Sequence, residues 1–332
     1  MTLSLSSILS NEQDILSFPT IEVQSFIETL DKHSLQHLLD HFSAKISSDK
    51  GNLFYSFFYF YRGFCYQLLE LSDDSLSDYN KAIKLNSTND RYYYYRAELS
   101  FFKFNDPISA LYDCSKAIEF RHNINIDYFL LRASILLELG INSLKGVNHD
   151  GNHNTILYRA LEDLDFVITL YPDNVKAYTL RLSCFYNQKK YDKCISDCES
   201  ALKLLDIKAD WFAHQNLGNH IDTTVEYYLH TLYWYWNALT EINDLPKANL
   251  FKYLYIDTLA NQQIFYANQF LYDKRFEESL RCLELALDYL KDCNDLYSSG
   301  PIEITDKLNS LLKVFESKKQ NLLIQKEEIS VD

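Results

Sequence analysis

Apolar residues along the chain recur at intervals of three and four, and strict alternation is missing. That period predicts amphipathic helices of about 12–18 residues joined by short connections, with no strand. The punctuation agrees. Pro19, Pro107, Pro172, Pro246 and Pro301 each precede or open an apolar-periodic run, where proline is tolerated at a helix start. Gly51, Gly140, Gly146, Gly151, Gly218 and Gly300 fall between such runs, and only Gly63 lies inside one, where two helices are expected to touch.

The runs repeat. Segments 58–71, 92–105, 130–140 and 178–191 each carry an arginine followed, in three of four cases, by a small residue: Arg62-Gly63, Arg96-Ala97, Arg132-Ala133 and Arg181-Leu182. Segments 78–86, 113–120, 163–172 and 197–205 each start from Asp78, Asp113, Asp163 or Asp197, with Ala82, Ala117, Val167 or Ala201 four residues later. Successive arginines are 34, 36 and 49 residues apart, and successive aspartates 35, 50 and 34. A helical hairpin of about 34 residues is therefore repeated, and the third copy is lengthened by a polar, glycine-containing insertion at 141–156, read as a solvated loop. Small residues let paired helices approach, and aromatics fill the spaces between hairpins.

The Arg-small pairs resemble the tetratricopeptide-repeat (TPR) family. So do Ala110, Ala160 and Cys194 near the starts of the second helices, Ala82, Ala117 and Ala201 near their ends, and Tyr171-Pro172 closing one unit. A fifth, more worn copy spans 264–290, with Ala267, Phe270, Phe276, Ser279, Leu283 and Ala286 at similar spacing, but Tyr266 and Cys282 where the others have Arg and Asp. The resemblance implies an all-α, right-handed superhelix, or α-solenoid, as one continuous array. Its parts are an N-terminal helical cap (1–50), four repeats (51–205), a polar loop and degenerate helical pair (206–261), a fifth repeat (262–300) and a C-terminal capping helix (301–332). It also implies a non-catalytic adaptor holding a partner's peptide or helix in the groove lined by the first helices. Phe60, Phe64, Tyr94, Tyr95 and Glu98 are the groove residues it points to. The lysine and asparagine clamp by which some co-chaperones of the family grip a terminal carboxylate is not matched. Two alternatives remain: a structural subunit that uses its outer surface and insertions, and a helical-repeat enzyme or regulatory subunit.

Composition narrows these choices. The 332 residues hold 7 Gly and 5 Pro against 50 aromatics (26 Tyr, 21 Phe, 3 Trp), which disfavours phosphate-binding glycine loops and turn-rich β folds. With 32 Lys+Arg against 46 Asp+Glu, the net charge of −14 opposes nucleic acid or an anionic membrane and favours a hydrophobic or basic protein segment. Seven cysteines without a dense framework, no basic start in the first twenty residues and no apolar run of membrane-spanning length predict a protein of the reducing cytoplasm.

Candidate chemistry is sparse. Within each repeat Arg precedes Asp by 16, 17, 31 or 16 residues, and removing the insertion reduces the 31. An antiparallel hairpin brings such positions together, so Arg62/Asp78, Arg96/Asp113, Arg132/Asp163 and Arg181/Asp197 are expected to form partly buried ion pairs. His33, His37 and His41 recur every fourth residue along one stripe and are read as a solvated face rather than a metal site; His149 and His153 lie in the insertion. Cys194, Cys198 and Cys114 occupy small packing positions. No catalytic, zinc-binding or cofactor signature is present, so neither a cofactor nor a metal is expected.

Overall fold

A computed structural model describes residues 20–47, 55–121, 123–145, 152–205, 223–272 and 275–297, with 313, 316–317 and 319–320. Among these residues the only regular secondary structure is helix. The helices are α1 (Thr20–Glu28), α2 (Lys32–Ile46), α3 (Tyr55–Leu68), α4 (Ser72–Leu85), α5 (Asp90–Phe102), α6 (Pro107–Phe120), α7 (Ile126–Lys145), α8 (Asn152–Leu170), α9 (Val175–Asn187), α10 (Tyr191–Leu205), α11 (Thr223–Glu241), α12 (Leu245–Tyr272) and α13 (Phe276–Tyr297). The chain divides into two compact units, Met1–Thr169 and Leu170–Asp332. The division falls at the end of α8, just before the Tyr171-Pro172 turn; proline cannot continue a helix.

In the first unit α3/α4, α5/α6 and α7/α8 are helical hairpins, and α4 packs on α5 and α6 on α7. The starts of α2, α5 and α6 are set by side-chain caps, whereas Leu71 before α4 supplies none. Asp31, Asn89 and Asp106 accept from the backbone N–H of Ser34, Arg91 and Ser109, and Pro107 follows at the first turn of α6. Their ends explain the scarcity of glycine. Glu70 and Asn105 turn the chain in the left-handed region at φ 62° and 51°, and in the second unit Lys189 and Asn243 do the same at 58° and 64°. After three of these residues the next N–H reaches back five residues: Leu71 to Tyr66, Lys190 to Phe185 and Asp244 to Leu239. This is the bond that closes a helix C-terminus, made here without glycine.

Gly63 is required by packing. A Cβ there would lie 3.0 Å from two ring carbons of Tyr79 and 3.2 Å from Asp78 Cβ, so α3 and α4 meet at this point. The core of the first unit runs from Val23, Ile27, Leu38 and Phe42 of α1 and α2 through Phe58, Phe60, Tyr61 and Phe64 of α3 to Tyr79 and Tyr92. The aromatic density of α3 is thus taken up on both sides, by the N-terminal helices and by the following hairpin.

Two boundaries differ from the expectation. Gly140 lies inside α7, which continues to Lys145, and α8 begins at Asn152, so helix replaces most of the loop expected at 141–156. The apolar period survives across Gly140, and one glycine costs a helix only about 1 kcal/mol. Likewise α12 runs unbroken for 28 residues through both the second helix of the degenerate pair and the expected first helix of the fifth repeat. No Gly or Pro interrupts 247–272, so nothing in that stretch stops the helix. The second unit therefore packs α9 with α10, then α10 with α11, α11 with α12 and α12 with α13. The expected capping helix lies almost wholly outside the described residues; Lys319 forms an ion pair with Glu284 of α13 at 2.9 Å. Residues 206–222, part of the expected polar loop, also lie outside them.

Cys65, Cys114, Cys184, Cys194 and Cys198 are buried and unpaired, while Cys282 is half-buried. Burial pushes the Cys65 and Cys184 thiols up to about 12. Alkylation of the native protein with iodoacetamide is expected to modify Cys282 well before any of these five, as read by peptide mass mapping. Equal labelling of Cys194 or Cys198 would show that those thiols are not packing residues.

Candidate functional site

The repeated polar feature is a set of guanidinium–carboxylate forks inside the hairpins. Arg62 Nε and Nη2 donate to Asp78 at 2.7 and 2.7 Å, and Arg96 holds Asp113 at the same two distances. Arg132 binds Asp163 at 2.8 and 2.6 Å, and Arg181 binds Asp197 at 2.8 and 2.7 Å. All four carboxylates are buried, and aromatic rings flank the guanidinium groups: Tyr59 and Tyr66 at Arg62, Tyr93 at Arg96, Phe129 at Arg132, Tyr178 and Phe185 at Arg181. Burial pushes the Asp78 carboxyl up while its bond to Arg62 opposes that, and the same bond raises the Arg62 guanidinium. Remaining donors are used nearby, Arg62 Nη1 on Ser43 and Arg96 Nη1 on Asn80. With fork and flank satisfied, these cations are engaged within the chain rather than offered to an acidic ligand.

The expected groove residues separate into two groups. Phe60 and Phe64 are 0% and 2% exposed and belong to the same buried cluster as Val23 and Ile27 of α1. Phe60 stacks on Tyr92 with centroids 4.9 Å apart, and Phe64 meets Tyr95 edge-on at 5.3 Å. They are core residues, which corrects their assignment to an open groove; Val23 and Ile27 of α1 join the same cluster, and Gln24 Oε1 accepts a bond from Arg91 Nη1 of α5 at 3.1 Å. Tyr94, Tyr95 and Glu98 remain half-buried on α5. Burial, then the Glu98 charge, pushes both tyrosine hydroxyls up. Beside Tyr94 and Tyr95 lies a polar pocket of about 100 Å³ that also touches Gln24, Arg91, Asp127 and Tyr128.

A larger cleft opens on the second-helix side. It holds about 630 Å³ between α4 and α6, with Arg96 and Ser100 at its back and Leu76, Phe104, Ile108 and Tyr112 along its walls. Phe104, Ile108 and Tyr112 are 38%, 74% and 60% exposed. Ile108 and Tyr112 stand four residues apart, hence on one stripe of α6. Periodicity did not single out this cleft. Its sequence signal is an apolar residue at positions of α6 that face away from the hairpin.

The remaining candidates do not assemble. His33 and His37 rings meet at 4.6 Å with their Nε2 atoms 3.2 Å apart; among the described residues no three His, Cys, Asp or Glu side chains are placed to hold a metal ion. His149 lies outside the described residues, and His153 sits half-buried in the first turn of α8. Cys194 and Cys198 pack with Leu182, Tyr235 and Ala238, and Cys114 packs with Ala97, Ala110 and Ile135. No described helix is long and apolar enough to cross a membrane.

No protein-family model matches the chain, and no curated protein matches it. Among solved structures, a tetratricopeptide repeat protein from Parabacteroides merdae superposes with a TM-score of 0.52 over 94% of this chain and 98% of its own, at 12% identity. YrrB, a TPR protein with an unusual peptide-binding site, covers 76% of this chain and 93% of its own at 16% identity and a TM-score of 0.43. The MamA protein covers 56% and 90% at 16% identity and a TM-score of 0.44.

Proposed function

We propose that this chain, a tetratricopeptide-repeat protein by fold and by its repeats, is a non-catalytic scaffold of the reducing cytoplasm that binds a segment of another protein. We place the partner on the second-helix side of the first unit, in the cleft between α4 and α6. The observation that carries this reading is the cluster of exposed Phe104, Ile108 and Tyr112 around a cavity large enough for two or three apolar side chains. Large apolar residues clustered around a concavity are the usual anchors of protein recognition. The acidic net charge favours a segment flanked by Lys or Arg and disfavours nucleic acid. Unpaired cysteines support the compartment. The first-helix groove is the second reading, now reduced to the strip around Tyr94, Tyr95 and Glu98, because Phe60 and Phe64 are buried in the core.

One experiment separates the two. An Ile108→Asp/Tyr112→Ser variant alters exposed side chains, so its stability is expected to stay within about 0.5 kcal/mol per site. Its partner recovery in a quantitative pull-down with mass spectrometry is expected to fall at least about tenfold. A Glu98→Ala variant is expected to retain the partner. Retention by the α6 variant and loss by Glu98→Ala would move the contact to the first-helix strip and overturn the cleft.

A further inference from the structure

Two histidines of α2 bring nitrogen edges together in solvent. His33 and His37 are four residues apart, so the helix sets them one above the other on one face. Their ring centroids lie 4.6 Å apart while their Nε2 atoms lie only 3.2 Å apart, so the Nε2 edges of the two rings face each other. Both side chains are exposed. The backbone that carries them is fixed from two directions. Asp31 caps the first turn, accepting from the Ser34 N–H at 2.8 Å, and Leu35, Leu38, Leu39 and Phe42 bury the opposite face of the helix. The close approach is a hydrogen bond when one ring carries its hydrogen on Nε2 and the other on Nδ1. With both hydrogens on Nδ1, the same two atoms are a pair of facing metal ligands.

Distance decides what fits. A zinc ion bound to both Nε2 atoms at about 2.1 Å sits at the apex of a triangle whose base is 3.2 Å, and the angle between the two ligands is then about 99°. That value lies between the square-planar and tetrahedral angles, so the ion is reached with the Nε2 atoms where they stand. Zn²⁺ has no geometric preference of its own and accepts it. Imidazole suits zinc, copper and nickel, whereas magnesium and calcium take oxygen ligands. Among the described residues no third His, Cys, Asp or Glu joins the pair, so the other coordination positions are left to water or to a donor from another molecule. The net charge of −14 attracts a cation to the chain. In the unfolded chain nothing holds the two rings at this distance, so an ion bound to both favours folded α2.

We propose that His33 and His37 form a two-nitrogen site for a divalent transition ion of the zinc class, which ties together the first two turns of α2. The stripe was expected to be a solvated face; its exposure agrees, and the facing Nε2 atoms add a chelate to it. The inference goes beyond the scaffold reading and holds whether or not the α4–α6 cleft carries a partner.

The test uses full-length protein labelled with ¹⁵N in its histidine rings, titrated with zinc chloride and, separately, with magnesium chloride. The signals of His33 and His37 are those that disappear in His33→Gln and His37→Gln. Both positions are exposed and glutamine is the better helix former, so both variants are expected to fold. Zinc is expected to move the two Nε2 signals with one shared midpoint, leaving each ring hydrogen on Nδ1, and magnesium to move neither. Each variant is expected to weaken the zinc response of the remaining ring at least about tenfold, because even a group that only supports a metal ligand is worth that much. Exchange of those α2 amides that open with the helix is expected to slow by the factor 1 + [Zn]/Kd, about 100-fold when zinc is at 100 times its midpoint, and to stay unchanged in His33→Gln. The proposal is overturned if the two rings titrate with separate midpoints, if magnesium acts as zinc does, if His33→Gln leaves the His37 midpoint unchanged, or if zinc does not slow α2 exchange.

Discussion

Replacing Asp113 with alanine is expected to destabilise the first unit by about 3 kcal/mol, near the lower end for breaking a buried ion pair. Asp113 is 2% exposed and accepts two bonds of 2.7 Å from Arg96. Without the carboxylate, the Arg96 guanidinium keeps one bond to Asn80 and loses its counter-charge in a site where it is only 20% exposed. That residual access to water places the effect at the lower end. Replacing both residues, Arg96→Met with Asp113→Leu, removes the stranded charge and is expected to come within about 1 kcal/mol of wild type, because desolvation of the pair offsets most of its attraction. The non-additivity identifies the effect as a pairing effect and not a packing one. Trp211, Trp234 and Trp236 all lie beyond residue 170, so their fluorescence follows the second unit. Native-state hydrogen exchange of the α5 and α6 amides is the suitable measurement. A single-variant loss below about 1 kcal/mol, or a double variant no better than Asp113→Ala, would mean that the fork contributes little.

The cause of these forks is visible in the chain itself. Arg and Asp are 16 or 17 residues apart in three repeats, and an antiparallel hairpin of two roughly 14-residue helices brings such positions to one level. The same local logic covers the helical period, the caps at Asn89 and Asp106 and the close approach at Gly63. What depends on distant partners was not legible. The face of α3 bearing Phe60 and Phe64 reads as apolar, but apolarity does not say whether a ligand or the chain itself covers it; Phe60 is enclosed by Tyr79, Tyr92 and Tyr95 from the two following helices. Helix ends were hidden for another reason. Counting glycines and prolines misses all four of these turns; Asn105 and Asn243 are recognisable left-handed residues, whereas Glu70 and Lys189 are not. In the same way Gly140, read as punctuation, is a helix interior residue, because tertiary packing outweighs a weak local preference.

Phe60→Ala discriminates most sharply between a covered first-helix face and an open groove. In the structure Phe60 is 0% exposed, and its ring meets those of Tyr61, Tyr79, Tyr92 and Tyr95 at 5.1, 5.8, 4.9 and 5.5 Å. Truncation removes six ring carbons and their hydrogenated edge from four aromatic neighbours, and the rigid rings around the hole cannot collapse into it. The expected loss is therefore about 3–5 kcal/mol, a large fraction of the 5–15 kcal/mol typical of a folded domain. Tyr112→Ala, at 60% exposure, is expected to change stability by less than about 0.5 kcal/mol while lowering partner recovery. An Ile27→Ala variant in α1 extends the argument. Ile27 is 0% exposed in the same cluster, so it is expected to cost about 2–4 kcal/mol and to raise hydrogen exchange in α3 as well as α1. If Phe60→Ala instead left stability within about 0.5 kcal/mol and abolished partner binding, the ring would belong to an open groove. Loss of stability with α1 and α3 deprotected together ties the N-terminal helices to the repeat core and leaves the second-helix cleft as the accessible apolar surface.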